Sequence, residues 1–238
     1  MIYITALFVL GMAVAVHEFG HFIAGRYSGI PIRVFSIGFG PRVAGFDWGG
    51  TDVRLSLIPL GGYVLPAVES EDDYFALEPK ARIVFSLGGP AANVLFAIPL
   101  IALINALSGA SSAYGLLAAP FAQAGAMLWA IIGALLSLFS TPDQVSSIVG
   151  IATVGGQFTA SGLIGTLQFA AIISLNLAVF NLIPLPPLDG GKIALDLIHA
   201  ASPRLGPMVY VSSCVVGWIL LFGLMIYATI HDVARLMA

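Results

Sequence analysis

The chain has 238 residues, of which 59% are hydrophobic and only 9% charged, with a mean hydropathy of +1.00. That balance excludes an ordinary soluble domain and defines a polytopic membrane protein. A formal net charge of −3 with no basic stripe argues against a nucleic-acid partner, and a single cysteine, Cys214, excludes an intrachain disulfide and a cysteine-based metal site.

Residues 1–16 carry no charge, and the apolar pattern runs on through VHEFGHFIAG, predicting a first membrane helix over 2–28. Neither a basic leading segment nor a small-residue cleavage site marks it as a signal peptide, so the helix is expected to be retained. The section 29–80 is more polar and Gly-rich. Within it IRVFSIGFGPRV and TDVRLSLIPLGGYV, rich in β-branched and aromatic residues and separated by the turn-like GFDWGG, predict a membrane-associated β-hairpin or small sheet. The acidic cluster Glu69 to Asp73 reads as a solvated loop, and Lys80 and Arg82 lead into a second helix over 82–107. An outer or re-entrant section is expected over 108–161, followed by helices over 162–182 and 206–234. The fold class is thus an α-helical polytopic membrane protein, one domain over 1–238, with about four core transmembrane helices and a small β element after the first.

Eight of the nine basic residues fall in two connections: Arg26, Arg33, Arg42, Arg54, Lys80 and Arg82 between helices one and two, Lys192 and Arg204 between helices three and four. The positive-inside rule places both connections in the cytoplasm. Segment 113–140 is apolar enough for a further crossing, and a single one would carry Lys192 and Arg204 outside. It is therefore expected to lie in the outer interface, to re-enter and return, or to pair with a second crossing through 145–160.

His17, Glu18 and His21 interrupt the first helix as HExxH. Residues four apart share one face of a helix, so both imidazoles can reach one zinc ion while Glu18 points at water bound to it. Ionisable groups at membrane depth are costly unless they pair or bind something. A catalytic zinc takes three protein ligands and leaves a position open for water. The best remaining acid is Asp189 in NLIPLPPLDGGK, just after the third helix, where Pro184, Pro186, Pro187, Gly190 and Gly191 oppose continued helix. Broken backbone is tolerated at membrane depth where it lines a cavity or is buried in protein. PPLDGG alone would ordinarily be a turn with a solvated aspartate; beside HExxH, at similar depth, it reads as the third ligand. Elsewhere, Asn93 and Asn176 suggest interhelical hydrogen bonds. His199 and His231 suggest interfacial positions, and Trp129, Trp218 and Tyr227 packing or interface anchors.

HEFGH in a first helix, Gly88-Gly89-Pro90-x-x-Asn93 opening a second, and Asn181 and Pro184 ahead of Leu188-Asp189-Gly190 together resemble the site-2 protease family of intramembrane zinc metalloproteases. The match spans nearly the whole chain, and PLGGYV at 59–64 resembles the family's membrane-associated β segment. The likeness is greatest to bacterial members that cleave anti-sigma factors and signal-peptide remnants. Those often carry PDZ domains between helices two and three, a place that here holds only 108–161.

The resemblance implies one Zn²⁺ held by His17, His21 and Asp189, with Glu18 as general base. Zinc lowers the pKa of its water from ~15.7 to about 7. Glu18 would take that water's proton and pass it to the leaving amine, and the Asn181 amide would steady the oxyanion or the substrate backbone. Unwound substrate could pair with the strand around Gly61, Gly62 and Tyr63, and Asn93 would support the site. The implied partners are transmembrane protein or peptide substrates and the bilayer, in a bacterial inner membrane with the active site toward the cytoplasm. Three other readings stand beside this one: a metal-ion transporter or channel, a proteolytically inactive adaptor, and an unrelated membrane zinc protease with a glutamate as third ligand. A transporter would be expected to place its ligands at successive depths, and an adaptor has no need of Glu18.

Overall fold

The computed structural model describes residues 2–137, 148–202 and 205–237. In chain order it contains α1 (Ile2–Tyr27), β1 (Ile32–Trp48), β2 (Thr51–Pro66), α2 (Glu71–Ala76), α3 (Pro79–Leu107), α4 (Ala119–Ser137), α5 (Ile148–Ala160), α6 (Leu163–Asn181), α7 (Asp189–Ala201) and α8 (Leu205–Met237). The stretches Tyr3–Tyr27, Pro79–Leu107, Tyr114–Ser137, Leu163–Asn181 and Val209–Ala234 are long and apolar enough to cross a bilayer.

Four of these are the expected core helices, within a few residues at each end. The fifth comes from the section expected to be outer or re-entrant. There a wide π-type turn at Tyr114–Ala118 leads into α4. The 13 residues of α5 rise only ~20 Å, short of a ~30 Å hydrocarbon core. Residues 138–147, which join α4 to α5, and Arg204 of the expected cytoplasmic connection lie outside the described residues.

The chain divides into two compact units. One comprises Met1–Leu10, Val94–Val179 and Ile219–Ala238. Its core gathers Ala97, Ile101, Ala124, Ala171 and Leu175, with a second cluster of Ala6, Val9 and Phe169. Half of these residues are alanine, as expected where helices must approach closely without a hydrophobic drive between them. Asn176 departs from the expectation of an interhelical bond: it is exposed, and its Nδ2 donates to the Ile172 carbonyl of its own helix at 2.9 Å.

The other unit comprises Gly11–Asn93 and Phe180–Trp218. Its core of Phe22, Ile30, Ile32, Phe35 and Phe85 joins α1, β1 and α3. The two long strands bend, so that Val34–Ile37 lie opposite Asp52–Leu55 on one side and Gly62–Leu65 on the other. Gly38 and Gly61, with φ of 89° and 111°, sit at these bends, a backbone region that favours glycine. Strand β1 runs to Trp48, so the turn is narrower than GFDWGG: it is Gly49-Gly50 alone, with the Gly50 N–H donating to Asp47 Oδ1 at 3.1 Å. The acidic cluster is likewise not all loop. Ser70 and Asp73 form a reciprocal capping box that starts α2, with Asp73 N–H donating to Ser70 Oγ at 3.1 Å and Ser70 N–H to Asp73 Oδ2 at 3.0 Å.

A further departure is α7, which begins at Asp189 itself, where prolines and glycines predict broken chain. The prolines confine the break to 182–188. Gly190 and Gly191 then admit a helix only because the preceding turn folds back on it: a Cβ at Gly190 would strike the Leu182 and Ile183 carbonyls, and one at Gly191 the backbone of Leu185 and Pro186. Two glycines cost about 1 kcal/mol each in helix propensity. Here tertiary packing overrides that cost.

Candidate metal centre

The residues of the site all come from the second unit, which makes its geometry self-contained. His17 and His21 lie one turn apart on α1, their rings edge to face with centroids 4.7 Å apart. Close contact between α1 and α3 sets this face: a Cβ at Gly20 would collide with the Gly88 carbonyl, and one at Gly88 with Ala24 and the Gly20 carbonyl. Asp189, first residue of α7, completes the group. His17 Nε2 and His21 Nε2 are 3.1 Å apart, and they lie 3.0 and 3.1 Å from Asp189 Oδ2. All three residues are buried, at 4–5% exposure.

This triangle fits a tetrahedral cation. Bonds of ~2.0–2.1 Å at the tetrahedral angle place ligand atoms about 3.3 Å apart, close to the edges observed. The proton positions agree. His21 Nδ1 lies 2.7 Å from the Phe85 carbonyl; a carbonyl only accepts, so Nδ1 carries the proton and the neutral ring turns a lone pair inward at Nε2. His17 Nδ1 lies 3.4 Å from Asn93 Nδ2 as the amide is placed. For Nε2 of His17 to present its lone pair, Nδ1 must be N–H and the Asn93 amide must be turned over so that its oxygen accepts, the orientation usual behind a metal-bound histidine. Two lone pairs and a carboxylate oxygen then converge on one point, an arrangement that a cation relieves.

Asp189 is held ionised. Burial alone would raise its pKa, but the His17 and His21 rings against it and the charge of Lys192 hold the carboxyl well below the usual range. Lys192 Nζ donates to Asp189 Oδ1 at 3.1 Å, leaving Oδ2 for the shared point. Glu18, half-buried, follows His17 on α1, and the sheet edge passes beside it: a Cβ at Gly62 would lie 3.2 Å from Glu18 Cγ. Gly61 and Tyr63 instead meet Phe39, whose ring stacks on Tyr63 with centroids 6.1 Å apart. Beside this edge opens a cavity of about 390 Å³, with Val64, Pro66, Tyr74, Phe75, Phe85 and Lys192 in its walls.

Asn181 ends α6, half-buried, ahead of the turn that leads to Asp189. His199 packs its ring on Phe75, centroids 4.9 Å apart, and His231 on Tyr227 at 6.1 Å; neither joins the metal group. Sequence reasoning gave no role to Gly89, where a Cβ would lie 2.5 Å from His21 Nε2 and 2.6 Å from His17 Nε2. The available signal was a glycine pair inside an apolar helix, which is costly unless something must approach closely. Lys192, on the sequence alone only a topological charge, stands at i+3 from Asp189.

Two imidazoles and a carboxylate around one point, a glutamate next to the first histidine and a frame of apolar helices define a membrane-embedded metallopeptidase centre. The sequence model of peptidase family M50 matches residues 5–224, and the chain belongs to that family. It is a multi-pass membrane protein and a zinc metalloprotease. Three relatives each bear the name "Putative zinc metalloprotease": one from Rhizobium meliloti (strain 1021), 25% identical, with 96% of this chain and 95% of the relative aligned; one from Clostridium perfringens (strain 13 / Type A), 24% identical, with 98% of each; and one from Helicobacter pylori (strain J99 / ATCC 700824), 40% identical over 45% of this chain and 34% of the relative. The Rhizobium alignment runs over 357 positions, while 96% of this chain is about 230 residues, so more than a hundred positions of that relative face no residue here.

Proposed function

We propose that the chain hydrolyses peptide bonds in or near the transmembrane segments of single-span proteins, with Zn²⁺ held by His17, His21 and Asp189. The observation that carries this reading is the buried triangle of Nε2, Nε2 and Oδ2 at 3.0–3.1 Å, with Glu18 next to His17 on α1 and against the sheet edge at Gly62. Bound zinc supplies Lewis acidity and water acidic enough to ionise near neutral pH. Glu18 is the general base that accepts the proton of the attacking water and delivers it to the leaving amine. Asn181, at the break before Pro184, donates to the developing oxyanion or to the substrate backbone.

A substrate helix hides its carbonyls in i to i−4 bonds and must be unwound before attack. Among the described residues Gly62–Leu65 pair only with Val34–Ile37, so an extended peptide can add to the other side, with Gly61, Gly62 and Tyr63 as its first partners. Gly62, lacking a side chain, lets that peptide approach Glu18. Membrane-retained remnants such as signal peptides and anti-sigma factors are the corresponding substrate class, in regulated intramembrane proteolysis. The charge distribution supports a bacterial inner membrane with the site toward the cytoplasm, α4 and α5 together forming an excursion that returns to the outer side. The whole of 1–238 is then one protease domain, with no substrate-filtering module between α3 and α6.

The test is cleavage of a panel of single-span substrates in detergent by the wild type and Glu18→Gln, with zinc quantified in both. Cleavage by the wild type alone, with near-stoichiometric zinc in each, is expected. Equal activity of the two forms refutes the assignment of the base. A metal-free wild type refutes the centre.

A further inference from the structure

We propose that Arg82 and Asp196 form a buried clamp that positions Asp189 against the two histidines, although neither residue touches the metal site. The inference takes the His17–His21–Asp189 centre as given. Asp196 follows Asp189 by seven residues, two turns along α7, so both carboxylates occupy one face of that helix. Both are buried, at 4% and 1% exposure.

Arg82, in the first turn of α3, is wholly buried. Its Nε lies 3.3 Å from Asp196 Oδ1, and its Nη1 donates to the Tyr74 carbonyl at 3.5 Å. Neither Nε nor Nη2 has a hydrogen-bond acceptor among the described residues, so the tie to Asp196 is ionic, and the guanidinium carbon stands over the rings of Tyr74 and Phe75, 5.2 and 4.7 Å from their centroids. One cation thereby joins α2, α3 and α7. On the sequence alone Arg82 counts as a cytoplasmic surface charge; buried and paired, it is a structural one.

The helix that carries Arg82 also carries Phe85, whose carbonyl orients His21, Gly89, which faces both ligand nitrogens, and Asn93, which faces His17. The helix that carries Asp196 starts with Asp189. This link from α3 to α7 therefore sets the carboxylate relative to the imidazoles, a tie that the proline-rich turn at 182–188 does not itself make. Buried ion pairs contribute little net stability, because desolvation offsets their attraction, and are best attested where they specify geometry. Arginine suits the role better than lysine, since its planar fork can pair and stack at once.

The experiment is the zinc affinity of the purified full chain in detergent, by competition with a chromogenic chelator, for wild type, Arg82→Met, Asp196→Asn and the double variant. Each single change is expected to weaken zinc 10- to 100-fold, the range typical of groups that orient metal ligands. The double variant should lose no more than the weaker single, because the pair acts as one unit. Metal-free Asp196→Asn, nearly isosteric, should keep its helical circular dichroism. Zinc affinity within threefold of wild type in folded Asp196→Asn overturns the proposal, and that variant decides alone if Arg82→Met does not fold. Loss of helical signal in parallel with zinc marks a merely structural pair and overturns it too. A wild type without measurable zinc affinity refutes the metal centre itself, and the clamp with it.

Discussion

Replacing Gly89 by alanine tests whether the ligand triangle, rather than the helices around it, limits metal binding. The added methyl would lie 2.5 Å from His21 Nε2 and 2.6 Å from His17 Nε2, about 1 Å inside the ~3.5 Å of an unstrained contact. Metal–ligand bonds tolerate about 0.2 Å. Retreat is blocked for His21 by its bond to the Phe85 carbonyl at 2.7 Å and opposed for His17 by Asn93, so at least one nitrogen must leave the metal. A structural zinc site is worth ~10–16 kcal/mol over four ligands, so losing one costs about 3 kcal/mol, or roughly 100-fold in affinity. The protein without metal should not gain the ~0.5–1 kcal/mol by which alanine is ordinarily favoured over glycine in a helix interior, because the same displaced imidazole strains it. Chelator competition and thermal denaturation of metal-free protein in detergent read these two effects separately. Zinc affinity within threefold of wild type in folded Gly89→Ala would refute the reasoning.

Asn93→Ala should weaken zinc 10- to 100-fold by releasing the His17 ring, checked by the same competition; unchanged affinity means that Asn93 does not set the ring. Asp196 has its pKa pushed up to about 6 from 3.8, because burial outweighs the attraction of Arg82 and Lys192. Its folded value lies above its unfolded one, so folded protein holds the extra proton between those values, and stability falls as pH rises through that window and is level above it. The span of about 2 units corresponds to ~3 kcal/mol. The melting temperature of metal-free wild type relative to Asp196→Asn should therefore fall between pH 4 and 6, and a constant difference contradicts the burial argument. Proline at Tyr63, removing an N–H from this strand, should lower cleavage of helical substrates with zinc retained; normal cleavage argues against strand addition. Cysteines placed at Ser112 and Ser161 should label from the same side of the membrane, and labelling from opposite sides breaks the topology.

The parts of this protein legible in its sequence are those whose cause is local. Apolar length alone located α1, α3, α6 and α8, because a spanning helix satisfies its own backbone and needs only about 20 apolar residues. HExxH was legible for a similar reason: the helical period puts His17 and His21 on one face without reference to any other part of the chain. Asp189 was reachable only by elimination, and its setting was misread, because Gly190 and Gly191 are poor helix formers when considered alone. They are required here by close packing against Leu182 to Pro186, a tertiary fact that leaves no periodic trace. The same limit hid Gly89 and the role of Arg82. A glycine within an apolar helix looks like a packing notch until two imidazoles are found opposite it, and an arginine at a helix start looks like a surface charge until an aspartate more than a hundred residues later is found beside it. The proposed ligand pair His17 and His21 was thus written into short-range spacing, whereas the placement of the candidate site depends on α3, a helix that carries none of its three proposed ligands.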